Sequence, residues 1–417
     1  MVFRFKIFFV VFVIHCLLLS NSVFAQSELV VEEIRGNVNT SFQEFSPSLS
    51  TDGQTLYFYS KRDRNSYTDI FSSNRKTDGT WDFPKEVVEL NSEFDDQSPF
   101  ITADGKYIYF SSNRDGSWEA RLANGKIGIS RDIYVSEKVG NGWSDPQPLP
   151  IEINSDMIEE NPHVVGDTML FTRYPFSQPE LARIYISKKQ GNKWTPAVAL
   201  SGPVNDANAT IAASLSDDQK NIFFSSNRQG GFGGFDLYSA NWDGTKAVGS
   251  IENLGSDFNT KGDEAYFSYH RLSKTILFCR REEGKNFNIF SAYIPKTIEQ
   301  NLVENKKISL DNINFEKSSH ELLDSSKIPL NQIVEYMKKN SSVKIRIIGH
   351  TDLNGNLEDN MKLSRDRANS VKEYIVKQGI KSTRLETEGK GPNEPLYQGT
   401  DENVSKKNRR TEFEILN

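Results

Sequence analysis

Between residues 28 and 295 one pattern of apolar and polar positions returns five times. Ser46-Pro47-Ser48-Leu49 leads to Thr51-Asp52-Gly53, and then Leu56-Tyr57-Phe58-Tyr59 forms an aromatic run. The same order appears at Ser98-Pro99 with Asp104-Gly105 and Tyr107-Ile108-Tyr109-Phe110, and at Asn161-Pro162 with Met169-Leu170-Phe171. It returns at Ala212-Ala213 with Ile222-Phe223-Phe224, and at Glu264-Ala265 with Ile276-Leu277-Phe278. Taking residues 47, 99, 162, 212 and 265 as equivalent, the spacings are 52, 63, 50 and 53. Aromatic and β-branched runs of this length predict strands, and Asp-Gly between two such runs predicts a tight hairpin. A third strand follows in every copy: Asp69-Ile70-Phe71, Asp132-Ile133-Tyr134, Arg183-Ile184-Tyr185, Asp236-Leu237-Tyr238 and Asn288-Ile289-Phe290. Four copies add a fourth strand, which follows Trp81, Trp143 and Trp194 in three of them and spans Val248 to Leu254 in the other. The fifth copy lacks its own, and the stretch from Glu28 to Ile34, with Leu29-Val30-Val31 at its centre, reads as the missing strand.

Four short strands in about 50 residues form a unit that cannot bury both faces alone, so the copies must stack. The expected fold is an all-β five-bladed propeller, or a six-bladed one if a further, degenerate copy is present. The run from Trp118 to Ile129 reads as a loop insertion. Arg114 and Arg228, one per copy, read as ties between strand ends rather than ligand contacts. The glycine-rich run Gln229 to Gly234 lacks the lysine of a phosphate loop and reads as a flexible loop.

Beyond residue 307 the period changes. Ile308 to Phe315 and Val343 to Gly349 alternate as strands, while Leu322–Met337 and Leu363–Val376 carry apolar residues at helical spacing, with Gly379 as a stop. Pro329 marks a break or a beginning in the first helix. Two more strands at 384–389 and 410–415 complete an expected βαβαββ sandwich, with both helices on one sheet face. Residues 296–306 read as a linker.

The N-terminus is of another kind. Arg4 and Lys6 precede a 13-residue apolar run, Ile7 to Leu19, and Val23-Phe24-Ala25 ends in a cleavage pattern. Residues 1–25 are therefore expected to be a signal peptide rather than a membrane span, which needs about 20 apolar residues. Removing it leaves Cys279 as the one cysteine, inside an apolar run and expected to be buried. Net charge is −6 overall, which argues against nucleic-acid binding. Residues 26–306 carry 29 basic and 39 acidic side chains, and residues 307–417 carry 19 and 17, so the two parts differ in character.

The Asp-Gly/aromatic repeats over 26–295 resemble the WD40-like propeller repeats of the TolB type. The run Gly349-His350-Thr351-Asp352, then Gly355, Asn360, Leu363-Ser364, Arg367-Ala368 and Val371, with Asn408-Arg409-Arg410-Thr411-Glu412 near the end, resembles the peptidoglycan-binding OmpA-like domain over 307–417. The second resemblance implies a ligand, the diaminopimelate of a peptidoglycan stem, whose free end carries one ammonium and one carboxylate. It implies Asp352 for the ammonium and Arg367 for the carboxylate, a task that suits a forked guanidinium. Asn360, Thr351 and Ser318 are implied as neighbours, and Arg409 and Arg410 either brace the site or cap the sheet. His350 has no second ligand nearby, so no metal site is expected, and no cofactor.

The expected function is a non-catalytic scaffold of the periplasm, associated with the cell wall and outer membrane. Its C-terminal domain would hold peptidoglycan, and its repeats a protein partner of the envelope. Peripheral association with the outer membrane is compatible with this. The alternative casts the repeats as a carbohydrate sensor or a glycan-degrading enzyme, with acid pairs such as Asp95-Asp96 and Glu159-Glu160 on connecting loops.

Overall fold

The computed structural model describes residues 29–416 apart from 63–66, 77–78, 122–126, 206–207, 295–297, 311 and 317–318. The expected signal peptide lies outside the described residues. The chain divides into two compact units, one ending at Ile294 and the other beginning at Pro295.

In the first unit each repeat forms its own antiparallel sheet. The first contains Glu44–Leu49, Thr55–Ser60, Asp69–Asn74 and Lys85–Glu86 in that order. The second and third have five strands each, and the fourth has four. The fifth takes Val30–Glu33 as its outer strand, paired antiparallel to Asn288–Tyr293. The expected insertion after Trp118 is a small hairpin, Glu119–Arg121 with Ile127–Ile129.

The sheets correct the expected propeller, five- or six-bladed. Among the described residues no sheet closes: each repeat's strand ladder ends within four or five strands, and all five sheets stay open. The physical reason lies in the first strand of each repeat. Every one carries a bulge, between Phe45 and Ser48, Gln97 and Phe100, Glu160 and His163, Ile211 and Ser214, and Ala265 and Ser268. At each bulge one residue takes a left-handed backbone: Ser46, Ser98, Asn161, Ala212 and Tyr266, with φ between 51° and 63°. A bulge interrupts the ladder and bends the strand, and in every repeat the bulged strand is the sheet's edge and, among the described residues, pairs with no second strand. These bulges also realign the last two copies, making Ala213 and Phe267 the equivalents of Pro47, Pro99 and Pro162.

Apolar layers join the sheets. Tyr57 and Ile70 of the first sheet, with Val87 just beyond its last strand, pack with Ile108, Phe110 and Tyr134 of the second. Leu277, Cys279 and Ile289 of the fifth pack with Leu56, Phe58 and Phe71 of the first. Cys279 is buried, and burial pushes its thiol pKa well up, so it is an inert core residue.

Two polar devices recur beside these layers. Once per repeat an asparagine side chain clamps the third strand of a sheet. Asn91 accepts from Ile70 N–H at 2.8 Å and donates to Ile70 C=O at 3.0 Å. Asn154 does the same for Ile133, Asn205 for Ile184, Asn259 for Leu237, and Asn39 for Ile289, 250 residues away. In four repeats a fully buried carboxylate meets an arginine: Glu44 with Arg62, Asp96 with Arg114, Glu159 with Arg173, and Glu264 with Arg280. Each of these arginines also donates to the backbone carbonyl just before the clamping asparagine and stacks over a phenylalanine: Phe58, Phe110, Phe171 or Phe278. Arg228 reaches Val204 C=O in the same manner. The arginines tie strand ends, as their spacing suggested.

The glycine-rich run is not a slack loop. Phe232 and Gly233 donate their N–H groups to the buried Asp236 carboxylate, and a Cβ at Gly233 would stand 2.3 Å from Gly262 C=O. The loop is wrapped on a carboxylate, and a side chain at Gly233 would prevent the close approach.

The second unit is one four-stranded sheet in the order Lys307–Leu310, Thr411–Leu416, Lys344–His350, Leu385–Gly391. The last pair is parallel and the others antiparallel. The segment read as a linker contains a helix, Ile298–Asn305, whose Leu302 is fully buried in this unit's core. Pro329 lies in the first turn of Lys327–Lys339, where a missing N–H costs nothing. The long helix Leu357–Lys377 starts six residues before its expected beginning because Asn356 caps it, accepting from Glu358 and Asp359 N–H. A short helix, Glu402–Asn408, precedes the last strand and was not foreseen.

Candidate functional site

Strand Lys344–His350 delivers Asp352 at its end, and the long helix carries Arg367. Two glycines let that helix approach the sheet. A Cβ at Gly349 would lie 2.2 Å from Ser364 C=O, and one at Gly389 would lie 2.5 Å from Arg365 N. Gly349 therefore serves close packing, whereas Gly355, at φ +93°, is a turn residue. Ser364 sits at the contact, its hydroxyl accepting from Gly391 N–H at 2.9 Å. Arg367 follows one turn later and faces a cleft of about 380 Å³ lined by Phe315, His350, Glu402, Lys406, Arg409 and Arg410, among others.

The expected site residues separate into two groups. Asp352, Arg367 and Arg409 come together. Asp352 Oδ2 accepts from Arg409 Nη1 at 2.7 Å, and its Oδ1 accepts from Asn354 N–H at 3.0 Å. Arg409 also reaches Glu402 at 2.5 Å. Arg367 is different. Its Nε donates to Ser319 C=O at 3.0 Å and its guanidinium lies over the Phe315 ring at 4.9 Å. Among the described residues it has no carboxylate within ion-pair distance. Burial, with the neighbouring Arg409 charge, lowers its pKa, and Asp352 raises it. The half-buried guanidinium thus lacks a paired anion, while a carboxylate stands close enough to influence it.

The other group braces. Thr351 is buried, its N–H bonded to Gly391 C=O and its hydroxyl to Asp352 C=O. Asn360 Nδ2 donates to Asn354 C=O at 2.8 Å, closing the loop that carries Asp352. Arg410, 5% exposed, is held by Glu412 at 2.8 Å and by Glu394 C=O at 3.1 Å. Glu412 is also met by Lys307 at 2.7 Å and by the buried His350 at 3.3 Å. Burial raises the Glu412 pKa, but these cationic and hydrogen-bonding neighbours outweigh it and hold the carboxyl well below its usual range. Ser318 lies outside the described residues. Sequence reasoning missed Phe315 as the platform beneath Arg367, and Glu402 and Lys406 on the short helix. A lone apolar residue at a strand end and charges on a polar surface give no separate signal.

Among the described residues no cluster of three metal-binding side chains occurs. The acid pairs in the repeats are committed elsewhere: Asp96 and Glu159 to their arginines, Asp95 to Thr68, and Glu160 to Arg131 at 2.7 Å.

Comparison with known proteins bears on this unit. Residues 314–409 match the OmpA family. The peptidoglycan-associated lipoprotein of Buchnera aphidicola is 30% identical over 134 residues, which cover 32% of this chain and 76% of that protein. The chain belongs to the OmpA family. The probable lipoprotein YiaD of Escherichia coli is 30% identical over 105 residues, a quarter of this chain and 48% of YiaD. The chain thus spans about half of one of these OmpA-family relatives and three quarters of the other. A crystal structure of the peptidoglycan-associated lipoprotein from Burkholderia pseudomallei shares 26% identity over 26% of this chain and 89% of that one, with a TM-score of 0.24. TolB from Acinetobacter baumannii aligns over 60% of this chain and 54% of its own at 14% identity, with a TM-score of 0.38. Neither score carries an argument, so the OmpA assignment rests on sequence and the resemblance of the repeats to TolB stays without structural support.

Proposed function

We propose that this chain is a non-catalytic protein of the periplasmic cell envelope that holds peptidoglycan stem peptides through its C-terminal cleft. Asp352 would take the ammonium of diaminopimelate and Arg367 its carboxylate. The observation that supports this is the unpaired state of Arg367. A half-buried guanidinium without an anion is costly unless a ligand supplies one, and the forked geometry suits a carboxylate. The relatives' names, peptidoglycan-associated lipoprotein among them, agree with a wall ligand. Asp96, Glu159 and Glu160 are taken up by Arg114, Arg173 and Arg131, which favours a scaffold over a glycan-degrading enzyme built on those acid pairs. The repeat unit, residues 29–294, would offer its loops to a protein partner of the envelope.

Retention on purified cell-wall sacculi tests the reading. Wild type sediments with the wall, and Arg367→Ala and Asp352→Ala remain in solution. Equal sedimentation of all three would overturn it. For the repeat unit, cross-linking in intact cells should capture an envelope protein on residues 29–294. Cross-links confined to the C-terminal unit would remove the partner role.

A further inference from the structure

The cleft holds more cationic charge than one carboxylate requires. Of its four cationic side chains, Arg410 is committed to Glu412, and Arg409 to Asp352 and Glu402. Arg367 and Lys406 remain, and among the described residues neither makes an ion pair. Lys406 is exposed on the short helix Glu402–Asn408, whereas its neighbour Lys407 lies over the Tyr397 ring at 4.7 Å. That helix is fixed with respect to the site. Asp401 caps it by accepting from Val404 N–H. The fully buried Asn408 exchanges two hydrogen bonds with the Tyr397 backbone, at 3.1 and 2.9 Å. Ser405 accepts from Asn354 Nδ2 at 3.0 Å, which joins the helix to the loop carrying Asp352. A lysine on a frayed helix would signify little; this one stands on a helix bolted to the Asp352 loop.

Resting on the proposed wall function, we infer that the ligand carries a second carboxylate and that Lys406 receives it. The chemistry that fits is a stem peptide with a free C-terminal carboxylate beside the diaminopimelate ammonium: two anions, one cation, against Arg367, Lys406 and Asp352. A stem whose terminus is capped or joined by an amide bond would offer Arg367 its carboxylate and leave Lys406 with nothing. The cleft therefore favours stems with an open end. The carboxylate belongs either to diaminopimelate itself, in a three-residue stem, or to the residue after it, in a four-residue stem.

Calorimetric titration of the full chain with synthetic three- and four-residue stems, each as free acid and as C-terminal amide, tests this. For wild type, amidation should weaken binding about fivefold, the worth of one exposed charge pair, and the stem length at which it does so locates the carboxylate. Lys406→Gln should bind the free acid about as weakly as wild type binds the amide and should no longer distinguish the two. A Lys406→Gln variant that still prefers the acid as strongly as wild type does would overturn the role of Lys406, and a wild type indifferent to amidation at both lengths would overturn the second carboxylate. Failure of wild type to bind any of the four peptides would instead sink the wall reading beneath it. Lys406→Arg, which keeps the charge, should keep the preference.

Discussion

Arginine does opposite work in the two units. In the repeats, Arg62, Arg114, Arg173 and Arg280 each meet a fully buried carboxylate, a backbone carbonyl and a phenylalanine ring, so their charge is answered inside the fold. In the C-terminal unit Arg367 has the ring and the carbonyl but, among the described residues, no carboxylate. The difference separates a strut from a receptor. Residue type and burial are alike, and only the missing anion tells them apart. The predictions below disturb the internal supports of the repeats or empty the receptor, and the expected cost in stability falls from the first to the last.

The largest effect should follow from breaking a strut. Arg173→Ala leaves Glu159 buried with Ser155 as its main partner. Burial already pushes the Glu159 pKa up, against the pull of Ser155 and Arg173. Loss of one partner of a buried pair costs about 3–5 kcal/mol, read as a lower urea midpoint. Replacing both, as Glu159→Gln with Arg173→Leu, should recover most of it, since an apolar substitute avoids stranding a charge. If the single and double variants were equally unstable, the pair would not be the strut described.

Next comes the asparagine clamp. Asn154→Ala deletes two bonds to the Ile133 backbone and one to Leu149 C=O, at 2.9 to 3.1 Å. Stranding these buried groups should cost about 2–4 kcal/mol. The most local readout is amide exchange, which should accelerate at Ile133 far more than at Ile345 in the other unit. Equal acceleration at both would mean that the clamp has no local role.

Acid should act on the repeats through His163, which packs against Phe100 at 4.5 Å. Burial lowers its pKa to about 4, from an ordinary value of 6.5. The folded state then refuses a proton that the unfolded state accepts, so this contribution is complete above pH 6.5 and is lost as pH falls toward 4. The full shift corresponds to at most about 3 kcal/mol. Asp132 opposes it: burial, helped by the Glu159 charge, raises its pKa to about 6, so its cost is present above pH 6 and fades below. The His163 part is isolated by comparing wild type with His163→Gln. Unfolding midpoints should converge between pH 7 and 4.5, and parallel curves would remove His163 from the account.

The two units also differ in how much their sequences disclose. Hydrophobic runs marked every inner strand of the repeats, and Val30-Val31 was recognisable as the outer strand of the fifth sheet because strands have a short, local period. The way the sheets end was not legible. Left-handed bulge residues as unlike as Ser46, Asn161, Ala212 and Tyr266 share a backbone conformation and no side-chain signature, so the expected closed architecture had nothing local to contradict it. The asparagine clamps were hidden for another reason. Asn91 or Asn205 alone reads as a turn residue, and its meaning lies in a strand 21 residues earlier. In the C-terminal unit the resemblance named Asp352 and Arg367; Arg367 lines the cleft, and Asp352 is joined to it through Arg409. It could not say that Arg409 holds Asp352, or that Arg410 is turned to Glu412, because partner choice is settled by packing between segments far apart in the chain.

Arg367→Ala should disturb stability least of all, and this is the sharpest form of the comparison. The side chain surrenders one bond to Ser319 C=O and a ring contact, and with them a desolvated charge that no anion compensates. Loss and relief nearly offset, so thermal unfolding of the C-terminal unit should shift by less than about 1 kcal/mol. Binding of a diaminopimelate-containing stem should nevertheless fall by at least tenfold, because the ligand's carboxylate loses a charge-assisted fork whose energy was not spent on the fold. A strut shows the reverse ratio: Arg173→Ala should cost several kcal/mol of stability and leave stem binding by the C-terminal unit unchanged. If Arg367→Ala unfolds the unit as severely as Arg173→Ala unfolds the repeats, Arg367 is itself a strut, and the absence of a carboxylate beside it has another cause than an awaited ligand.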